Sequence, residues 1–262
     1  MGRPTIVSIP GASSLPIFSD RLVAAVTSRG YTIHTLQLPS VGLSEGPQEG
    51  PPSSMYDDAA LISSHVSKLA DAGQDILLVT HSYGGTPATE SLRGLSKRSR
   101  RDQDLPGGVI GIAYITSFVP EVGKSAGSIK AGFPGLSKVP MAVDEAGWLY
   151  YTDIPGVAAM SFSSMPPEEG QLWAGRLARH SAASFANPLT YAGFKDVPVS
   201  YLLCENDLAI PPIVQQSIID MIERETGRSV DVTSIDADHV APLSSPDTVA
   251  EWIVGIAEKL TS

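Results

Sequence analysis

The sequence is short of several things, and each shortage excludes something. It has one cysteine, Cys204, in 262 residues. No intrachain disulfide framework is available, and a reducing, cytoplasmic compartment is the expectation. No apolar run reaches the roughly 18 residues of a membrane span. The opening "MGRPTIVSIPG" lacks a signal-peptide apolar region and a Ser/Thr placed for myristoylation, so a soluble intracellular chain is expected. Cations are few: 18 Lys and Arg against 28 Asp and Glu, a net charge of -10. Nucleic acid and anionic membranes, which need clustered cations, are therefore not expected partners. The one basic run, "KRSRR" from Lys97 to Arg101, stands beside "DQDLPGG" and reads as a solvated loop. No His/Cys/carboxylate spacing suggests a metal, and no GxGxxG or GxxxxGK[ST] suggests a nucleotide, so no cofactor is expected. Internal repeats and low-complexity tracts are also missing.

What is present is an alternation. Short Val/Ile/Leu runs, "TIVSI" (5–9), "YTIHTL" (31–36), "ILLVT" (76–80), "VIGIAYIT" (109–116), "VSYLLC" (199–204) and "VDVTSI" (230–235), read as strands. Between them apolar residues recur at helical spacing over 15–29, 55–72, 84–96, 211–226 and 246–260. A Gly/Pro/Ser-rich loop fills 39–54. Strands alternating with helices imply an α/β fold, a mostly parallel central sheet with helices on both faces. Residues 120–195 break the rhythm and show only short helical patterns, such as 167–179. They read as an inserted cap over a core formed by 1–119 and 196–262; a second domain is the alternative, but no linker flanks the stretch on both sides.

The stretch "ILLVTHSYGGTPATES" (76–91) passes from buried strand to helix across a histidine, a serine, a tyrosine and two glycines. In open parallel sheets, ligands bind outside the carboxyl ends of the strands. A strand-to-helix turn places Ser82 at that edge. Gly84 and Gly85 allow the turn to be sharp, and a strained backbone would lift the hydroxyl clear of the sheet. The following helix would aim free N–H groups at whatever the serine attacks. The alternative is that Ser82 only caps the helix.

A serine nucleophile needs a base, and the base an orienting acid. "SIDADHVAPLSSP" puts His239 just after the last strand, and "LLCENDLAIPP" puts Glu205 and Asp207 just after the preceding one. Either carboxylate fits the spacing. His239 could instead be a surface-loop residue. His34 reads as a strand residue, His65 and His180 as surface or cap residues, and His81 as packing or hydrogen-bonding locally.

On "VSIPGAS", "LLVTHSYGG", "YLLCENDLAIP" and "ADHVAPLSSP", the chain resembles the α/β-hydrolase superfamily, within it the group of plant methylesterases and hydroxynitrile lyases. The resemblance covers nearly the whole chain and is weakest in 120–195. It implies Ser82 as nucleophile, His239 as general base and then acid, and Asp207 rather than Glu205 as the acid. It also implies an oxyanion hole from the backbone N–H groups of Ala12 and Tyr83, with Ser13 the neighbouring candidate for the first. The chain departs from the family at Pro10 (usually His), Thr80 (commonly Gly) and Asp238 (often Gly). Asp238 would raise the pKa of His239 or face water. Hydroxynitrile lyases carry a threonine beside the first oxyanion position and a lysine after the catalytic histidine; Gly11 and Val240 stand there, which favours an esterase.

Ser13, Phe118, Trp148, Tyr151 and Trp173 are candidate substrate contacts, with Tyr83, Tyr150 and Phe162 as further aromatics for an apolar pocket; the alternative is that the aromatics form the cap's own core. The expected reaction is two-step acyl transfer on a small, largely apolar ester or lactone. Each oxyanion donor would be worth about 2.7–4 kcal/mol. Two other classes stay open: a lyase or cyclase of a metabolite pathway, and a slow-turnover ligand-binding receptor.

Overall fold

The computed structural model describes residues 2–43, 50–133 and 138–262. The expected loop over 39–54 lies partly outside the described residues. In chain order the elements are β1 (Thr5–Ile9), α1 (Asp20–Ser28), β2 (Ile33–Thr35), α2 (Met55–Asp71), β3 (Asp75–His81), α3 (Gly85–Ser91), α4 (Lys97–Arg101) and β4 (Gly108–Ile115). A long connection follows, with α5 (Ala126–Ile129), β5 (Met141–Val143), β6 (Trp148–Tyr151), α6 (Ile154–Ser161), α7 (Pro167–Ala174), β7 (His180–Ser181) and α8 (Ala182–Ala186). The chain then closes with β8 (Val199–Cys204), α9 (Pro212–Thr226), β9 (Asp231–Ile235), α10 (Ala241–Ser244) and α11 (Pro246–Thr261).

The main sheet is parallel throughout, in the order β2-β1-β3-β4-β8-β9. Alternate residues of each strand face opposite ways. Val7, Leu78, Tyr114 and Tyr201 pack on one side with Ile62 and Val66 of α2 and Val214 and Ile218 of α9. Ile6, Leu77, Ala113 and Leu202 pack on the other with Leu22 of α1 and Val249 and Ile253 of α11. Both faces are covered, which is why the strands read as unbroken apolar runs. Helix ends carry their own signals. Ser54 and Asp57 form a reciprocal cap at the start of α2, and Gly227, at φ +64°, ends α9.

Chain order places the site. After β1 the chain adds β2 on one side, then returns to add β3 on the other side of β1. Connections leaving the carboxyl ends of β1 and β3 diverge there and open a crevice. The loops that follow are Pro10–Ser14 and the turn at Ser82.

Three expectations need correction. "KRSRR" is not a solvated loop but helix α4, capped by Ser96, whose Oγ accepts the Ser99 N–H. Arg100 lies buried beneath it, paired with Asp71 at 2.6 Å and donating to the Pro106 carbonyl. The helix expected over 84–96 ends at Ser91, and Gly94 turns at φ +74°. The β4–β8 connection is not only helical: β5, β6 and β7 form an antiparallel sheet.

Candidate active site

The turn after β3 is as sharp as the glycines suggest. Ser82 has φ +52°, a left-handed conformation that costs a non-glycine residue energy. A Cβ on Gly85 would stand 2.7 Å from the Ser117 Cβ and 2.8 Å from the Phe118 carbonyl. The Ser82 turn is wedged against the β4 loop, and only glycine fits.

Three strand ends converge there. Ser82 Oγ lies 3.0 Å from His239 Nε2, and His239 Nδ1 lies 2.7 Å from Asp207 Oδ2. All three residues are buried. Asp207 also accepts from the backbone N–H groups of Ala209 (2.8 Å) and Ile210 (2.7 Å) and from the Thr116 hydroxyl. This leaves its carboxylate fully satisfied and held in one orientation. Glu205 points elsewhere: it is exposed and accepts from Ser234 at 2.7 Å. Thr116, at the end of β4, takes φ +37° to reach Asp207. Nothing in the sequence marked that residue, because a β-branched side chain is a poor candidate for positive φ.

Two residues flanking this line have defined partners. His81 Nε2 donates to the His239 carbonyl at 2.7 Å, and the two rings sit 5.0 Å apart. The bond ties the strand that leads to Ser82 to the loop that carries His239. Burial, then the neighbouring imidazole, push the His81 pKa down to about 3. Asp238 does not face water. It is fully buried and accepts from the Ser164 N–H at 3.0 Å, the Val240 N–H and the Ser244 hydroxyl. Burial raises its pKa.

The Ser82–His239 pair opens onto a cavity of about 1090 Å³. Its walls are mostly apolar, among them Phe18, Phe118, Val139, Leu149, Phe162 and Ile210. Lys138 is the one formally charged side chain among the described lining residues. Ala12, Phe118 and Tyr151 are in the wall.

Trp148, Trp173 and Ser13 are not in it. Trp173 packs against Phe18 at 5.3 Å with the Arg21 and Arg176 guanidiniums over its ring. It belongs to the apolar core that the β4–β8 connection forms with Phe18 and Leu243. Trp148 is buried in β6, whose alternate residues Leu149 and Tyr151 line the cavity in its place. Ser13 is buried behind the first loop, and its N–H donates to His180 Nδ1 at 3.3 Å. Its N–H is thereby engaged, while Gly11, Ala12 and Ser14 of the same loop line the cavity. The Tyr83 ring lies beneath the turn, its hydroxyl donating to Asp58 Oδ2 at 2.7 Å, and Tyr150 lies outside the wall under Arg179.

Sequence reasoning missed His180 and Asp58. His180 is not at the surface; it is fully buried, with its pKa pushed down to about 3. Asp58 carried a readable signal, a carboxylate on the apolar face of α2 between Met55, Ala59 and Ile62. It accepts from Tyr83 and from the Ser40 N–H. Burial pushes its carboxyl up from 3.8 to about 6. Below pH 3.8 both folded and unfolded chains hold this proton and the group contributes nothing. Between pH 3.8 and about 6 the unfolded chain ionises first, so folded stability falls as pH rises. Above about pH 6 the loss is complete, on the order of 3 kcal/mol. Urea unfolding across this window should show wild type losing stability relative to Asp58→Asn; parallel curves would refute the assignment.

Among the described residues, no three His, Cys, Asp or Glu side chains are placed to hold a metal. No described helix is long and apolar enough to cross a membrane. The model of the alpha/beta hydrolase family matches residues 6–252. The chain is 29% identical over 257 residues to "Probable hydrolase R7" of Phoma sp., covering 98% of this chain and 99% of that one. Its fold is similar to a pyrethroid hydrolase from Sphingobium faniae JZ-2 (TM-score 0.72, 20% identity, 97% of each chain). It is also similar to tomato methylketone synthase I, solved with 2-tridecanone (TM-score 0.74, 18% identity, 99% of this chain and 100% of that one).

Proposed function

From the premise that this chain belongs to the alpha/beta hydrolase family, we propose that it hydrolyses a carboxylic ester or lactone with a long or bulky apolar acyl part. The observation that carries the reading is the Ser82–His239–Asp207 line, at 3.0 and 2.7 Å, opening onto an apolar cavity. His239 takes the Ser82 proton as Oγ attacks the carbonyl carbon. The carbonyl electrons move to oxygen, which the Ala12 and Tyr83 N–H groups receive. His239 returns the proton to the leaving alkoxide, and an ester of Ser82 remains. Water, deprotonated by His239, attacks that ester; the acid leaves and Ser82 regains its proton. Asp207 holds the His239 tautomer and stabilises the imidazolium.

The cavity argues for more than a small acyl group. At about 1090 Å³ it reaches the upper end of ordinary ligand pockets, roughly 300–1,000 Å³. The pyrethroids named for one structural neighbour and the 2-tridecanone held by another are apolar bodies of that kind. We place the 120–195 segment over the site as a cap, since Leu149, Tyr151 and Phe162 supply part of the wall.

A series of p-nitrophenyl esters from acetate to decanoate tests the reading. Each buried methylene is worth up to about 0.8 kcal/mol, so kcat/KM should climb by up to about fourfold per carbon until the wall is filled. A flat series would remove the cavity from the substrate's path. Tight retention of an apolar ligand without turnover would favour the receptor reading.

A further inference from the structure

The polar groups of one buried residue are all taken by the β4–β8 connection. Ser13 is fully buried and sits at φ +62°, just past the proposed oxyanion donor Ala12. Its N–H donates to His180 Nδ1 at 3.3 Å. Its carbonyl accepts the Ala178 N–H at 2.9 Å. Its hydroxyl accepts from Tyr151, a wall residue, at 3.2 Å. A left-handed serine is a costly conformation, and three bonds from one segment hold it there.

The His180 tautomer follows from its partners. A backbone N–H can only donate, so Nδ1 must be the bare acceptor and Nε2 carries the hydrogen. That hydrogen meets the Ser184 Oγ at 3.1 Å, and Ser184 donates onward to the Ser181 carbonyl at 2.8 Å. The chain of donors has one consistent direction. The same imidazole stands edge-on to the Tyr83 ring, with centroids 4.7 Å apart. Tyr83 is anchored below by Asp58, which also takes the Ser40 N–H, while the Ser40 carbonyl accepts from Ser181. His180 thus touches Tyr83, one proposed oxyanion donor, and Ser13, the residue that follows the other.

We propose that His180 is a positioning residue for the oxyanion hole. By accepting the Ser13 N–H it turns that peptide away from the cavity and sets the Ala12 N–H beside that of Tyr83. The hole is therefore assembled by the β4–β8 connection as well as by the two strand-end loops. The inference rests on the hydrolase reading above.

Two variants of the full chain test it. His180→Phe keeps a flat ring against Tyr83 but loses the acceptor; His180→Asn keeps an acceptor oxygen near the place of Nδ1. Steady-state kinetics on a p-nitrophenyl ester that wild type turns over give kcat and KM, and binding of an alkyl boronic acid reports the tetrahedral geometry. His180→Phe should lose about a hundredfold in kcat, within the range seen when one oxyanion donor is removed. KM should stay within about twofold, boronate affinity should fall with kcat, and His180→Asn should recover kcat to within about tenfold. A role confined to packing would move KM and thermal stability but not the ratio of boronate affinity to KM. A folded His180→Phe with wild-type kcat and boronate affinity overturns the proposal. Should His180→Phe fail to fold, His180→Asn decides, and a hundredfold loss of its kcat overturns it. Wild type that turns over no p-nitrophenyl ester and gains no acyl mass would sink the hydrolase reading and this proposal together; wild-type turnover with unaffected variants would sink this proposal alone.

Discussion

Ser82→Ala should abolish formation of the acyl-enzyme while leaving the fold intact. With p-nitrophenyl acetate, wild type is expected to release a burst of nitrophenol and to gain the mass of one acetyl group. The variant should show neither, with kcat/KM lower by about 10⁴-fold or more. The size follows from the geometry. The Ser82 hydroxyl has its proton acceptor at 3.0 Å, and that acceptor is oriented by an Asp207 whose other contacts are all filled. Removing Oγ leaves the oxyanion donors with nothing to assist. Stability should change little. Alanine bears the φ of +52° about as well as serine, and the hydroxyl's partner His239 remains held by Asp207 and by packing against His81. An adduct that persists in a folded Ser82→Ala protein would place the nucleophile elsewhere.

Gly84→Ala should damage fold and site together. Gly84 has φ -55°, so its backbone conformation does not call for glycine. Space does. A Cβ there would lie 2.4 Å from the Pro10 carbonyl oxygen and 2.8 Å from that of Ile9. Those are backbone atoms at the end of β1, which is paired on both sides by β2 and β3 and has no direction in which to retreat. Overpacking of this kind costs roughly 1–3 kcal/mol or more, a loss of about 2–10 °C in Tm for a chain of this size. The displaced loop is the one that carries Ala12, so turnover should fall further than stability alone accounts for. Gly255→Ala is the control. It sits in α11 with nothing within 4 Å of the added Cβ, and should stabilise by about 0.5–1 kcal/mol. A Gly84→Ala protein that melts with wild type would refute the close-approach argument.

Much of the fold could be read in the chain because its central strands are buried on both faces. "ILLV" and "VIGIAYI" admit few other readings when helical patterns flank them. The misreadings share a cause. Strands β5, β6 and β7 have three, four and two residues, too few for a period-2 pattern to separate from noise. Arg100 looked solvated because its partner Asp71 lies on another helix, 29 residues back. The surface alternative for His180 had the same cause: its partner Ser13 is 167 residues away.

The sequence alone determined the kinds of groups and the edge of the sheet on which they stand. A serine just ahead of two glycines after a buried strand, a carboxylate after another and a histidine after the last can be seen without coordinates, because strand ends and turns are local events. Tertiary structure decided between near neighbours. It turned Asp207 inward and Glu205 to solvent, committed the Ser13 N–H to His180, and removed Trp148 and Trp173 from a wall that Leu149 and Phe162 share. Those outcomes depend on which way one side chain or one peptide plane points. That direction is set by partners distant in the chain and by the space they leave.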